Sequence, residues 1–344
     1  MTEELMDAAI FQGDGVLELK KIKIPEINGN QALVKILAAS ICGSDLHILE
    51  VPQAHSCETG IVLGHEAVGE IVELGKDIKS FKIGDRVAID PITPCGNCPL
   101  CKTGYYNMCN DNTAFGVDID GVFAQYSAIR EDRLHKLSRD MPIKRAIFAE
   151  PVACVFTAIR KLNFYPGQTV VILGSGPIGL YFSKILKANG ASLIVLSEIA
   201  DYRINFAKKY GEATHVINPK VENIRDIVFE LTEGIGVDYV VDTVGTCLPD
   251  ALKLVKRAGK VLLFGINDFK QQILKQYDII RNDITVIGSF VTYFAFPEVI
   301  NMLETKTIIL DDFVTHEYSL NEIHKGIDVL RKGKAMEVIV YPNG

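Results

Sequence analysis

Hydrophobic and polar positions change their rhythm about halfway along the chain, and that change predicts its architecture. Up to about residue 150 the apolar runs are short and β-branched, with Gly and Pro between them, as in Gln31–Ala38, Ala67–Glu73 and Arg86–Ile89. Such runs read as short strands joined by turns, the makings of a small barrel. After Pro166-Gly167 continuous apolar strands alternate with segments of helical period. Strands are expected at Thr169–Leu173, Leu193–Ser197, Val216–Ile217, Tyr239–Asp242 and Lys260–Phe264. Helices are expected over Ile178–Asn189, Tyr202–Tyr210, Ile224–Leu231 and Pro249–Arg257. Strands that are apolar throughout are covered on both faces, and their alternation with helices implies parallel βαβ units. From about Ser289 the chain is expected to return to its first domain and end in the strand Glu337–Tyr341. The expected class is α/β, a β-barrel domain joined to a doubly wound parallel sheet.

Composition narrows the function classes. The 344 residues, 48% hydrophobic and 23% charged, suffice for two ordinary domains. A net charge of −7, with no Lys/Arg-rich run, leaves no electrostatic footprint for nucleic acid or an anionic membrane. A small-molecule partner is expected instead. The longest apolar run, Ile284–Pro297, is shorter than the ~20 residues that cross a bilayer. Glu3, Glu4 and Asp7 stand where a signal peptide would be basic, so a soluble cytoplasmic protein is expected. Four of the eight cysteines, Cys95, Cys98, Cys101 and Cys109, crowd together, which argues for metal thiolates over disulfides.

The segment Leu173-Gly174-Ser175-Gly176-Pro177-Ile178-Gly179 follows an apolar strand and opens a helix, the context in which G-x-G-x-x-G has meaning. Gly174 permits the turn, Gly176 lets backbone approach a pyrophosphate, and Gly179 lets helix and strand pack closely. Glu198 ends the next strand, where a carboxylate accepts from the ribose 2′-OH of NAD and repels the 2′-phosphate of NADP. Arg203 is placed to stack on adenine or to reach a phosphate. Thr243, in the turn Asp242–Gly245, is expected to border the nicotinamide side, and Gly265 is a further expected cofactor-binding residue.

Cys95-x2-Cys98-x2-Cys101-x7-Cys109, flanked by Pro94, Gly96, Pro99 and Gly104, offers four thiolates to one tetrahedral ion. A closed Cys₄ site is structural zinc; an iron–sulfur cluster is the alternative, but the spacings are not those of ferredoxins. A second site has to be assembled from distant pieces: Cys42 in CGSDLH, His65 in Gly64-His65-Glu66, and Glu150 before Pro151. Three protein ligands with an open position are the layout of catalytic zinc.

With these motifs in place the chain resembles a zinc-containing medium-chain dehydrogenase of the sorbitol, butanediol and threonine dehydrogenase branch. CGSDLH, GHEAVGEI, DRVAIDPITPCGNCPLCKTGYYNMC, DGVFAQY, AEPVA, LGSGPIGL and the late GSF fall in family order over nearly the whole length. The resemblance implies a GroES-like catalytic domain over 1–152 and 293–344, with a structural zinc lobe at about 91–112. It also implies a Rossmann NAD-binding domain over 153–292, two zinc ions per chain, and a homotetramer or homodimer. Zinc is implied on Cys42 and His65, with Glu150 as third ligand and Glu66 either ligating directly or exchanging with Glu150 and water. Glu150 sides with secondary-alcohol enzymes. Sorbitol dehydrogenases carry an Arg-Tyr pair against the polyol where this chain has Val291-Thr292, which points away from sorbitol itself. The implied chemistry is Lewis-acid polarisation of an alcohol with hydride transfer to NAD. Ser44 and His47 are the implied proton relay, with a water held by Glu66 or Glu150 as the alternative. An L-threonine or sugar-phosphate dehydrogenase is the neighbouring reading, and an inactive NAD- and zinc-binding sensor the reading from another class.

Overall fold

The computed structural model describes residues 4–267 and 269–344, so the acidic N-terminal stretch begins outside the described residues. The chain divides into two compact units, one of Met1–Ala153, Thr292–Lys306 and Leu310–Gly344, the other of Cys154–Val291 and Thr307–Ile309.

The first unit is built on a seven-stranded sheet. Its order is Val314–Ser319, Glu337–Tyr341, Gln31–Ser40, Glu66–Leu74, Arg86–Ile89 and Leu134–Lys136, with Tyr126–Arg130 also on Gln31–Ser40. Gln31–Ser40 is buried along most of its length and serves as the hub. One edge pairs with Glu66–Leu74; the other is shared between Tyr126–Arg130 near its start and the last strand of the chain near its end. Register shifts at Leu33/Val34 and Ile36/Ala38 bend the hub, which turns a flat sheet toward the GroES-like barrel. Phe11, Leu63, Ile71, Ile89, Phe123 and Val338 fill the interior. The pairs Ala39–Val340 and Ser40–Ile339 tie the last strand to the residues just before Cys42.

The second unit is a six-stranded parallel sheet ordered His215–Ile217, Leu193–Ser197, Thr169–Leu173, Val237–Asp242, Val255–Leu263 and Thr285–Gly288. This is the Rossmann order, whose winding reverses between the third and fourth strands in that list. Leu173 and Asp242 are register partners there, so Gly174 and Thr243 leave the sheet side by side. Helices cover the sheet, among them Pro177–Ala188 and Asp201–Tyr210.

One expected boundary is corrected. The helix expected to reach Arg257 runs only over Leu248–Leu254, because Val255 already pairs with Val237 and pairing overrides local helix propensity. The register then shifts through Ala258 (φ 56°) before Lys260 meets Tyr239. No described helix is long and apolar enough to cross a membrane.

Candidate metal centre and nucleotide site

Two of the metal-site residues flank short connections that the backbone holds tightly. Cys42 caps the helix Gly43–Ile48, and Asp45 in its first turn accepts a hydrogen bond from the Cys42 amide at 2.9 Å. His65 follows Gly64, which sits at φ 87°; a Cβ there would lie 2.6 Å from the Phe123 ring. Only glycine fits, and the sharp turn brings His65 and Glu66 to the mouth of the strand Glu66–Leu74. The side-chain ligand atoms of Cys42, His65 and Glu66 lie within 4.8 Å of one another. Glu150, at the start of the helix Ala149–Leu162, is buried but is not among the residues at that mutual distance. Its charge still reaches the group: burial, then Glu150, push the Glu66 carboxyl up to about 7.

The electrostatics suit a buried dication. Burial and the Glu66 charge push the Cys42 thiol up to about 11. Burial alone would lower His65, yet the Asp45 carboxylate and Cys42 outweigh it and hold the imidazole well above its ordinary range. Asp45 Oδ1 and His65 Nδ1 are 3.6 Å apart, both buried, and neither makes a hydrogen bond. A carboxylate facing the far nitrogen of a ligating imidazole is the usual outer support of a zinc site. One thiol, one imidazole and one carboxylate form a zinc ligand set with a position left open, so these residues fit the ion. Asp45 was not expected from the sequence; its place in the first turn of a Cys-capped helix was the available signal.

Ser44 and His47 part company. Ser44 Oγ lies 3.3 Å from His65 Nε2, beside the ligand group. His47 is half-exposed, its Nδ1 2.9 Å from Glu50 Oε1.

The four clustered cysteines come together. Sγ–Sγ distances are 3.5 Å for Cys98–Cys101, 3.8 Å for Cys98–Cys109 and 3.4 Å for Cys95–Cys109. A tetrahedron with Zn–S bonds of ~2.3 Å has edges of about 3.8 Å, so this cage also fits zinc. The lobe is clasped at its base, where Ile92 and Thr93 pair with Ala114 and Thr113. Cys57 is not in either group.

In the second unit, Gly174 at φ 101° turns the chain, and a Cβ on Gly179 would lie 2.0 Å from Gly174 O. Gly176 caps the helix Pro177–Ala188, whose first amides, including those of Ile178 and Gly179, face outward as donors. A tight glycine turn opening onto a helix N-terminus, with Arg203 beside Gly176, fits a pyrophosphate. Glu198 is buried and already engaged: Oε2 accepts from Ser175 N at 3.0 Å, Oε1 from Ile199 N at 2.8 Å and Ala200 N at 3.1 Å. Arg203 lies over Gly176, its Nη1 3.6 Å from where a Cβ would be. Thr243 Oγ1 donates to Leu173 O at 2.7 Å, and Gly265 packs its backbone on that of Thr243, Val244 and Gly245. Asp242, which opens this turn, accepts from the amides of Val244, Gly245 and Cys247 and so shapes it. A cavity of about 210 Å³ lies beside Gly245 and Gly265.

The same organisation is found in known proteins. Residues 28–139 match the family described as "Alcohol dehydrogenase GroES-like domain" and residues 177–305 the one described as "Zinc-binding dehydrogenase". The chain is 32% identical to a sorbitol dehydrogenase of Bacillus subtilis, covering 98% of both chains. It is 34% identical to an L-threonine 3-dehydrogenase of Pyrococcus furiosus, covering 98% of this chain and 99% of that one. Among solved structures it resembles a zinc-binding dehydrogenase of Sinorhizobium meliloti bound to NADP, with a TM-score of 0.92, 27% identity, and 99% and 100% coverage. With likeness extending over both units and end to end, the chain belongs to the zinc-type medium-chain alcohol dehydrogenases, oxidoreductases that use zinc and a nicotinamide cofactor.

Proposed function

We propose that the chain oxidises the secondary alcohol of a diol or small polyol to a ketone, with NAD as the acceptor. The observation that carries this reading is the Cys42–His65–Glu66 group, its carboxylate buried, with a second acid, Glu150, close enough to perturb Glu66. Cys42, His65 and one of the two glutamates would hold the catalytic zinc, and Cys95, Cys98, Cys101 and Cys109 a structural one. Bound there, zinc supplies Lewis acidity and the nicotinamide a hydride acceptor.

The chain's own residues handle the proton. Ser44 Oγ, beside His65, is placed to accept a hydrogen bond from the substrate hydroxyl and take its proton while passing on its own. His47, one helical turn later and half-exposed beside Glu50, is the far end of the relay in this reading and would hand the proton to solvent. Gly174, Gly176, Pro177, Ile178 and Gly179 cradle the pyrophosphate. Thr243 and Gly265 build the wall on the nicotinamide side. NAD is favoured over NADP because the Glu198 charge opposes a 2′-phosphate. That opposition rests on charge, since both Glu198 oxygens already accept backbone bonds. Val291 and Thr292 offer neither guanidinium nor phenol to a polyol, which favours a substrate with fewer hydroxyls than sorbitol. An amino alcohol of the threonine type is the second reading, favoured by the likeness to the Pyrococcus furiosus enzyme. The assembly in this reading is a homodimer or homotetramer.

Cofactor reduction by zinc-loaded protein, followed over short diols, polyols including sorbitol, L-threonine and primary alcohols, tests the proposal. A higher kcat/KM for a diol with NAD is expected, and Ser44→Ala should lower kcat by about 100-fold with both zinc ions retained. Preference for primary alcohols, or an unchanged kcat in Ser44→Ala, would sink the substrate or the relay respectively.

A further inference from the structure

Of the two acids, Glu66 stands at ligand distance from Cys42 and His65 and Glu150 does not, and a third residue accounts for that choice. Ser40 ends the strand Gln31–Ser40 and is fully buried. Its Oγ donates to Glu66 Oε2, and among the described residues it is the one hydrogen-bond donor to that carboxylate. Ser40 cannot drift. Its backbone pairs with Glu66 on one side and Ile339 on the other, in the middle of the sheet. It also lies two residues before Cys42, so a single stretch of backbone carries both a metal thiol and the hydroxyl that holds a metal carboxylate.

We infer that Ser40 is the positioning residue that makes Glu66, and not Glu150, the carboxylate ligand of the catalytic zinc. A serine hydroxyl has one proton to give, and spending it on Oε2 leaves Oε1 for the ion. The strand register would then hold the carboxylate facing Cys42 and His65, where it would ligate the ion. Without the hydroxyl, Glu66 keeps no donor in a buried pocket beside a like charge, and it turns out of the ligand position. This inference rests on the reading of Glu66 as a zinc ligand. Outer partners of this kind change metal affinity by about 10–100-fold when removed.

The test is a competition titration of zinc-loaded wild type, Ser40→Ala, Ser40→Thr and Glu66→Gln with a chromophoric chelator, with folding checked by circular dichroism. The four-cysteine zinc serves as the internal reference. Ser40→Ala is expected to release the other zinc at about ten-fold lower chelator or less, with the reference unmoved. Ser40→Thr, which keeps the hydroxyl, should stay near wild type. If Glu66→Gln loses affinity while Ser40→Ala does not, the role of Ser40 is overturned and Glu66 remains a ligand. An equal loss in Ser40→Ala and Ser40→Thr overturns it as well, since the hydroxyl would not be the agent. An unchanged Glu66→Gln removes Glu66 from the ligand set, and Ser40 with it.

Discussion

His135 is stacked flat on Phe296, ring centroids 4.4 Å apart and planes 3° apart, with Nε2 buried and making no hydrogen bond. Burial, and then the Arg133 charge, lower its imidazole to about 4. A base lowered by folding stays neutral in the native chain while the unfolded chain takes up a proton below its ordinary ~6.5. Its stabilising contribution is therefore complete above pH ~6.5 and is lost as pH falls from there toward 4. The loss should be on the order of 2 kcal/mol once partial exposure is allowed for. Urea unfolding at several pH values across that window should show the slope, and His135→Phe should flatten it; an unchanged slope would place the acid sensitivity elsewhere. Residues differ in how well their setting can be read in advance. The four clustered cysteines were legible because their ligand geometry is local, set within fifteen residues of chain. Asp45 and Ser40 were not, because an aspartate in a helix turn and a serine in a strand are ordinary until a partner from elsewhere stands opposite.

The glycine turn joins the strand Thr169–Leu173 to the helix Pro177–Ala188, and Gly179 lets the two pack. Because a Cβ on Gly179 would sit 2.0 Å from Gly174 O, Gly179→Ala must push the helix off the strand. Overpacking of this kind costs about 1–3 kcal/mol, and the displaced amides should weaken NAD binding by at least ~10-fold. Fluorescence titration with NADH and thermal melting would read both, while zinc content stays at the wild-type level; wild-type NADH affinity would refute the account. The strands of this unit were legible from apolar runs flanked by Gly and Pro. The helix end at Leu254 was not, because Val255 is drawn into the sheet by Val237, a partner eighteen residues earlier. The sixth strand, Thr285–Gly288, lay inside an apolar run whose pattern does not distinguish strand from helix.

For the whole molecule, the strand Thr285–Gly288 lies at one end of its sheet, with Tyr277 and Ile280 exposed on the adjoining helix Gln276–Arg281. The end strand of a sheet beside exposed apolar side chains is a place for a second copy to pair. In the proposed oligomer, Tyr277→Glu with Ile280→Glu should lower the mass seen by light scattering toward that of one chain, and an unaltered mass would move the interface elsewhere. By itself the sequence determined the class of fold, the cofactor chemistry and the four-cysteine cage. Each of these is written in spacings of a few residues, where covalent connection already limits geometry. Tertiary structure alone decided which carboxylate joins Cys42 and His65, and that Glu198 spends its oxygens on neighbouring amides. Those outcomes depend on strand register and on burial, through which residues distant in the chain compete for the same proton or the same ion, and no local spacing encodes the winner.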